Sequence, residues 1–351
     1  MRPEPSRLLT LDAMRGIAAI LVVLFHLNAA GAHLFKSGYL AVDFFFVLSG
    51  FVLARTYDAR LAAGLPVTEF AALRLIRLYP LIFLGLLIGV ARFGGQILIH
   101  HPDRMSMPDL AVSAVFELLL LPSPTSDVIS PLNVPAWSLS FEMAASLAYA
   151  AWLVKLRPRA LAAVCAACGL GIVAAAAAHG SMDFGFKWAD LLAGLARVGF
   201  SFTLGMLIAR SQHRPVVKSA WAFAPMAVLG ALLSVDAAGG ARLAFDLAMV
   251  LLVSPLLVWW GAGLNPPDTG AAVSRWLGDV SYPLYAVHFP LLFMVGFFGK
   301  KAGMPTEAWM AIFAVGILVF ATLLDHFYDR PVRRALTEGL RRIRVARPSL
   351  A

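Results

Sequence analysis

The feature that most constrains this chain is a succession of long apolar runs separated by short polar loops. A membrane-spanning helix needs about 20 mostly apolar residues. Ten segments meet that requirement, at roughly 9–30, 38–57, 74–95, 136–156, 159–179, 188–210, 219–236, 242–262, 280–299 and 306–328. Lipid offers the backbone no hydrogen-bond partner, so spanning segments must be helices or a closed barrel. Runs of this length predict an all-α polytopic membrane protein with about ten transmembrane helices. An eleventh apolar stretch, about 109–122, has only some fourteen residues and reads as a re-entrant or interfacial helix. Composition agrees: 14% of residues are charged and mean hydropathy is +0.79, where soluble domains carry about 25% charged residues. No linker interrupts the pattern, so residues 1–351 read as one transmembrane domain ending in a basic tail, 330–351.

The formal charge of +9 does not point to nucleic acid, because the cations sit in short loops and the tail, as orientation signals do. With the N-terminus cytoplasmic and the 109–122 segment returning to the side it left, 21 cations are cytoplasmic and seven are outside. Arg2, Arg7, Arg15, Arg55, Arg60, Arg74, Arg77, Lys155, Arg157, Arg159, Arg210, Arg214, Lys218, Arg275 and the seven arginines from Arg330 to Arg347 face inward. A spanning 109–122 segment would turn that tail outward, so both termini are expected in the cytoplasm. Arg2 and Arg7 before an apolar run ending in Ala29-Ala30-Gly31-Ala32 also mimic a signal peptide, but the run is long enough to span and reads as a retained first helix. Cys165 and Cys168 lie in an Ala-rich run without a second pair and read as small packing residues.

Ionisable residues inside spans cost about 2.5–3.5 kcal/mol each and must face a cavity or a partner. The candidates are His26, Asp43, Glu142, Arg197, Asp246 and His288. Asp246 falls near an outer helix end, where it would reach water. Arg197 sits mid-helix and needs a partner: Glu142, Asp43 or a substrate anion. His33 and His100-His101 fall in outer loops and read as surface residues rather than metal ligands.

In the first helix, Arg15 and His26 are eleven residues apart, three turns plus about 20°, so they share a face about 16 Å apart along the axis. Asp12 and Arg15 can pair at i, i+3. Two readings are open on spacing alone. One is a topology-setting arginine with a satisfied buried histidine. The other is a cation at the aqueous face and a base three turns deeper, matching the phosphates and the thioester of an acyl-CoA. Arg74 and Arg77 share a helix face at a cytoplasmic entrance, where they either set topology or grip phosphates. Trp137 opens a later span as an interfacial anchor, Ser138 and Ser140 either satisfy helix carbonyls or face a site, and Glu142 follows about two turns inside. Pro283 and Pro290 disturb the helix around Tyr282 and His288 and free carbonyls. His288 is then either a second site group or a buried histidine tied to one of them.

Together these stretches resemble the acyltransferase-3 family of transmembrane acyltransferases. The resemblance rests on Leu11-Asp12-x2-Arg15-Gly16-x9-His26, on Gly38-Tyr39-Leu40-Ala41-Val42-Asp43-Phe44-Phe45-Phe46-Val47-Leu48-Ser49-Gly50-Phe51, on Arg74-x2-Arg77, on Trp137-Ser138-Leu139-Ser140-x-Glu142 and on Ser281-Tyr282-x2-Tyr285-x2-His288-x-Pro290. Each motif is weak alone; five in order across residues 11 to 290 are specific. Ala41 departs from a position where the family often has glycine. The resemblance implies about ten spans in the cell inner membrane and acyl-CoA as a cytoplasmic co-substrate with no permanently bound cofactor. It also implies a hydroxyl acceptor that is usually a cell-envelope polysaccharide, a lipid-linked sugar or a secondary metabolite. It makes His26 the catalytic base, assigns Arg15, Arg74 and Arg77 to the donor, and puts Glu142 in the site. Asp43, Ser138, Tyr282, His288 and Arg197 are expected around the substrate. Some relatives carry an added extracytoplasmic esterase-like domain; here transfer is expected to be direct or to use a separate protein. Oligomeric state is not legible.

The expected reaction is O-acylation, acetyl first, with His26 removing the proton of a carbohydrate hydroxyl that attacks the thioester. An acyl-enzyme on His26 or a tyrosine stays open. The rival class is a transporter or flippase using the buried charges as a path, which would be favoured by inverted halves with paired broken helices.

Overall fold

The computed structural model describes residues 7–32, 35–212 and 215–346. Arg2, His33, Arg214 and Arg347, which enter the charge and surface readings above, lie outside these described residues. The chain folds as helices α1 (Leu9–His26), α2 (Ala41–Ala62), α3 (Val67–Leu98), α4 (Met107–Leu118), α5 (Ala136–Ala151), α6 (Pro158–His179) and α7 (Leu191–Ser211). There follow α8 (Phe223–Leu233), α9 (Ala241–Ala248), α10 (Ser254–Gly261), α11 (Asp268–Lys301), α12 (Thr306–Leu324) and α13 (Arg330–Ala346). Two short parallel strands, β1 (Val217–Lys218) and β2 (Leu264–Asn265), tie loops at one end. There Asn265 Oδ1 accepts from the Leu9 N–H at 2.7 Å. It thereby satisfies one of the donors that a helix start leaves open.

Among the described residues, eight helices are long and apolar enough to cross a membrane: Leu9–Ala29, Gly38–Ala62, Val67–Leu98, Pro158–His179, Trp188–Ser211, Ala241–Gly261, Asp268–Lys301 and Thr306–Ile343. The protein is thus an all-α, multi-pass membrane protein. Two of the segments expected to span form shorter helices. The 219–236 segment is helical over Ala220–Leu233, and the 136–156 segment yields α5, of 16 residues. The reason for α5 lies in the chain before it. Asn133 donates to the Ala286 carbonyl, halfway along α11, at 2.8 Å. That carbonyl is open because Pro290, four residues on, has no N–H. Leu132 N–H donates to Glu117 Oε1 at 2.8 Å. Irregular backbone is thereby held deep in the bundle, with Leu132 fully buried and Asn133 nearly so, the one setting in which it is tolerated there. The 109–122 stretch forms α4, of 12 residues.

Packing runs along two principal seams, α1 against α11 and α2 against α7, with α3 and α12 on α11 and α6 on α7. The α2–α7 seam is backbone-close: a Cβ at Gly50 would sit 2.0 Å from the Phe202 carbonyl oxygen, and one at Gly205 would sit 2.1 Å from that of Val47. Small residues permit such an approach between membrane helices. Cys165 and Cys168 are free thiols; the Cys168 sulfur faces Gly199 of α7, a packing role. Proline also shapes two helix breaks. The π-turns Met249–Val253 and Asp325–Asp329 lie directly before Pro255 and Pro331, whose missing N–H groups leave an i−4 carbonyl unpaired and widen the helix. From Arg330 to Ala346 the basic tail is helical and continues α12 through the second of these π-turns.

Candidate active site

At the end of the bundle bearing the α1 N-terminus, charges from four segments interlock. Arg7 pairs with Asp12 at 2.5 Å and Asp279 at 2.6 Å, and Arg330 pairs with Asp279 and Asp325, both at 2.6 Å. The expected Asp12–Arg15 pair is present at 3.3 Å. Arg15 also donates through Nε to Ser281 Oγ at 2.9 Å and through Nη2 to the Gly278 carbonyl at 2.8 Å. The α1–α11 seam thus aims the Arg15 side chain.

Arg15 lines a cavity of about 130 Å³, together with Arg74, Arg77, Glu142, Ser49, Ser138, Ser281, Tyr282 and Tyr285. Arg74 Nη2 donates to Glu142 Oε1 at 2.8 Å, and Ser49 Oγ donates to the same oxygen at 2.8 Å. Arg74 therefore does not stand open at an entrance as its spacing suggested. It is buried, and Glu142 takes its charge, while its Nε is buried without a partner among the described residues. Arg77 has no ion pair among the described residues; its guanidinium lies 5.9 Å from the Tyr282 ring centroid. The Tyr282 hydroxyl donates to the Leu78 carbonyl at 2.5 Å, holding α11 to α3. Three guanidiniums and one carboxylate leave a net positive chamber, suited to an anionic group.

A second cavity, of about 220 Å³, is lined by His26, Tyr39, Asp183, Arg197 and Tyr285 with the aromatic rings of Phe25, Trp137, Phe184, Phe186 and Phe289. Two residues, Val42 and Tyr285, line both cavities. The arginine cavity and the histidine cavity thus lie back to back. His26 does not line the cavity of Arg15, Arg74 and Arg77 but lies across this wall from it.

His26 is held by a second histidine. His288 is fully buried, and its Nδ1 lies 2.9 Å from the Tyr285 carbonyl and 3.1 Å from that of Leu284. Carbonyls only accept, so His288 Nδ1 carries the proton. His26 Nδ1 lies 2.8 Å from the Val22 carbonyl and 3.1 Å from His288 Nε2. By the same logic His26 Nδ1 is a donor and His288 Nε2 its acceptor. The neutral His26 ring is left with its lone pair on Nε2. His288 is tied to the helix carbonyls of Leu284 and Tyr285 rather than to the one that Pro290 frees. It lines neither cavity, so the expectation that it lies around the substrate is corrected; it touches His26 instead. The Phe25 and Phe289 rings pack edge-on against His26 at 5.2 and 5.1 Å and hinder its rotation.

Arg197 finds Asp43 among the partners considered for it, donating through Nε at 3.1 Å and Nη2 at 2.5 Å, with Nη1 on the Phe184 carbonyl. Asp43 is fully buried behind it and lines neither cavity. Asp43, expected around the substrate, is therefore a buried partner of Arg197 instead, and two further expectations are corrected. Trp137 is not an interfacial anchor: it is buried, lines the histidine cavity, and sits with its ring 5.6 Å from the Arg197 guanidinium. Asp246 does not reach water: it is fully buried, accepting from the Tyr39 hydroxyl, the Met182 N–H and Arg242. A one-dimensional depth estimate fails there because the 181–186 loop folds over the helix end. Sequence reasoning left Ser49, Tyr39, Tyr285 and Asp183 out of the site. The first three stood inside the quoted motifs; Asp183 carried no local signal.

With this geometry in place, comparison with known proteins is decisive. The sequence model of the acyltransferase-3 family, described as an acyltransferase domain, matches residues 8–324. The chain belongs to this family. Among relatives of the acyltransferase, the exopolysaccharide production protein ExoZ of Rhizobium meliloti (strain 1021) is 28% identical over 91% of this chain and 98% of its own. Protein 2 in the picA locus of Rhizobium radiobacter is 36% identical over 49% of this chain and 96% of its own. The acyltransferase MdmB of Streptomyces mycarofaciens is 33% identical over 45% of this chain and 42% of its own. No solved structure matches.

Proposed function

We propose that this acyltransferase moves an acyl group, acetyl in the first instance, from cytoplasmic acyl-CoA to a hydroxyl of a cell-envelope or exported carbohydrate at the inner membrane. One observation carries the reading: a cationic cavity and a histidine cavity meet end to end at Tyr285 and Val42. Cation placement along the chain puts the arginine cavity on the cytoplasmic side, where the donor is. Arg77 and Arg15 hold the CoA phosphates, with Arg74 and its partner Glu142 behind them in the same cavity, and the acyl-bearing arm extends towards the shared wall. The acceptor enters the histidine cavity, whose rings and polar groups suit a sugar's apolar face and hydroxyls. The full-length similarity to an exopolysaccharide production protein favours a polysaccharide or its lipid-linked precursor.

In this mechanism His26 Nε2 removes the proton of the acceptor hydroxyl as its oxygen attacks the thioester carbonyl. General-base help of this kind contributes about 10²–10⁴-fold. The imidazolium formed keeps its Nδ1–H on the Val22 carbonyl and His288 Nε2, two acceptors already in place. No protein nucleophile is required, so transfer is direct. His26→Ala should abolish transfer from radiolabelled acetyl-CoA at unchanged protein level in the membrane; full activity in that variant refutes the role. Arg77→Ala should raise the acyl-CoA KM, and an unchanged KM removes it from the donor site. Mass spectrometry of surface glycans from cells with and without the protein would identify the acceptor.

A further inference from the structure

If donor and acceptor occupy opposite cavities, the carbonyl under attack must lie at the wall between them. Among the described residues Tyr285 is the one polar side chain that lines both. We propose, on the basis of that two-sided reading, that the Tyr285 hydroxyl donates the hydrogen bond that stabilises the oxyanion formed on the thioester.

The other candidates are placed or committed elsewhere. Arg15, Arg74 and Arg77 line only the arginine cavity. Arg197 lines only the histidine cavity and directs Nε, Nη1 and Nη2 at Asp43 and the Phe184 carbonyl. Ser138 lines only the arginine cavity, but it shares a 2.6 Å hydrogen bond with the Tyr285 hydroxyl. Both hydroxyls also reach the Pro135 carbonyl, Ser138 at 3.0 Å and Tyr285 at 3.2 Å. With Ser138 donating to Pro135, the Tyr285 proton rests on a neutral serine oxygen and is released by a small rotation. The exchange replaces a neutral hydrogen bond with a charge-assisted one, roughly twice as strong. The Tyr285 ring is fixed by an edge-on contact with Phe45 at 5.6 Å, and the tyrosine lies one helical turn before His288, the residue that orients His26. Base and oxyanion donor are thereby built on one seam.

The step balances. The acceptor oxygen forms a bond to the thioester carbon while its proton passes to His26 Nε2. The carbonyl π pair moves onto oxygen, where Tyr285 donates. The pair then returns, the C–S bond breaks, and the CoA sulfur leaves with the proton held by His26.

The test uses full-length protein in proteoliposomes, with radiolabelled acetyl-CoA as donor and a gluco-oligosaccharide as acceptor probe. Tyr285→Phe should lower kcat about 10²–10³-fold, the loss seen on removing one oxyanion donor, with the acetyl-CoA KM within twofold of the parent. Ser138→Ala should lose less than Tyr285→Phe. A Tyr285→Phe kcat within threefold of the parent overturns the proposal, as does a loss expressed in KM alone. Should Tyr285→Phe fail to fold, 3-fluorotyrosine at position 285 keeps the shape and acidifies the phenol. A kcat that responds to that acidity supports donation to the oxyanion; an unchanged kcat overturns it. His26→Ala separates the levels: if it stays fully active, the underlying reading fails, whereas an inactive His26→Ala beside an active Tyr285→Phe sinks only the tyrosine.

Discussion

At the scale of single residues, the two imidazoles carry the most specific expectation. His288 does not line either cavity; it acts through the 3.1 Å contact with His26. His288→Ala should leave His26 able to turn its lone pair away from the acceptor, lowering kcat about 10–100-fold, the usual scale for loss of an orienting partner. Because the donor chamber is untouched, the acyl-CoA KM should not change. His288→Gln, whose amide oxygen can accept from His26 Nδ1, should recover part of the rate. Equal losses in both variants, read from initial rates over a range of acetyl-CoA concentrations, would count against positioning and for simple packing. Arg15 and His26 were legible as one face of α1 from their spacing. The pairing of His26 with His288, across 262 residues of chain, was not, because contact between distant segments leaves no local periodicity.

Two elements decide how the cavities are walled. The α2–α7 seam depends on Gly50, where a Cβ meets backbone rather than a movable side chain. Gly50→Ala should destabilise the protein by about 1–3 kcal/mol, as overpacking of a tight interface does, and lower its melting temperature in detergent. The stretch between α4 and α5 depends on Glu117, whose carboxyl is pushed up to about 8 by burial, against the smaller opposing effect of backbone N–H donors at Leu132 and Asn133. The sign follows from linkage. A folded carboxyl that holds its proton more tightly than the unfolded one makes stability greatest at low pH and lets it fall as pH rises towards the folded value. Melting temperature should therefore decline between about pH 4.5 and about pH 8 and level off above. Glu117→Gln, which stays neutral, should flatten that decline; an unaltered slope would assign it to other groups.

At the scale of the whole molecule, the proposal requires the two cavities to open to opposite sides of the membrane, and the cation count predicts which. Asp103 follows α3, and its side chain is 88% exposed. Arg334 lies on α13, in the basic end of the last long helix, Thr306–Ile343. A cysteine at position 103 should react with an impermeant maleimide in intact spheroplasts, and one at position 334 only after the inner membrane is opened. Labelling of both from the same side would overturn the orientation and the assignment of donor and acceptor chambers.

Sequence alone determined that this is a helical membrane protein, since runs of about 20 apolar residues have no other stable home. Five ordered motifs likewise marked the family and most of the residues that now cluster. Tertiary structure decided what those residues face. Arg74 spends its charge on Glu142, Asp43 disappears behind Arg197, Asp246 is sealed by Tyr39 and Arg242, and Tyr285 becomes the partition between two chambers. Hydropathy and spacing report the average environment along one helix. A partner is chosen by which helices come to lie side by side, and that depends on close backbone seams and proline-freed carbonyls acting between segments far apart in the chain.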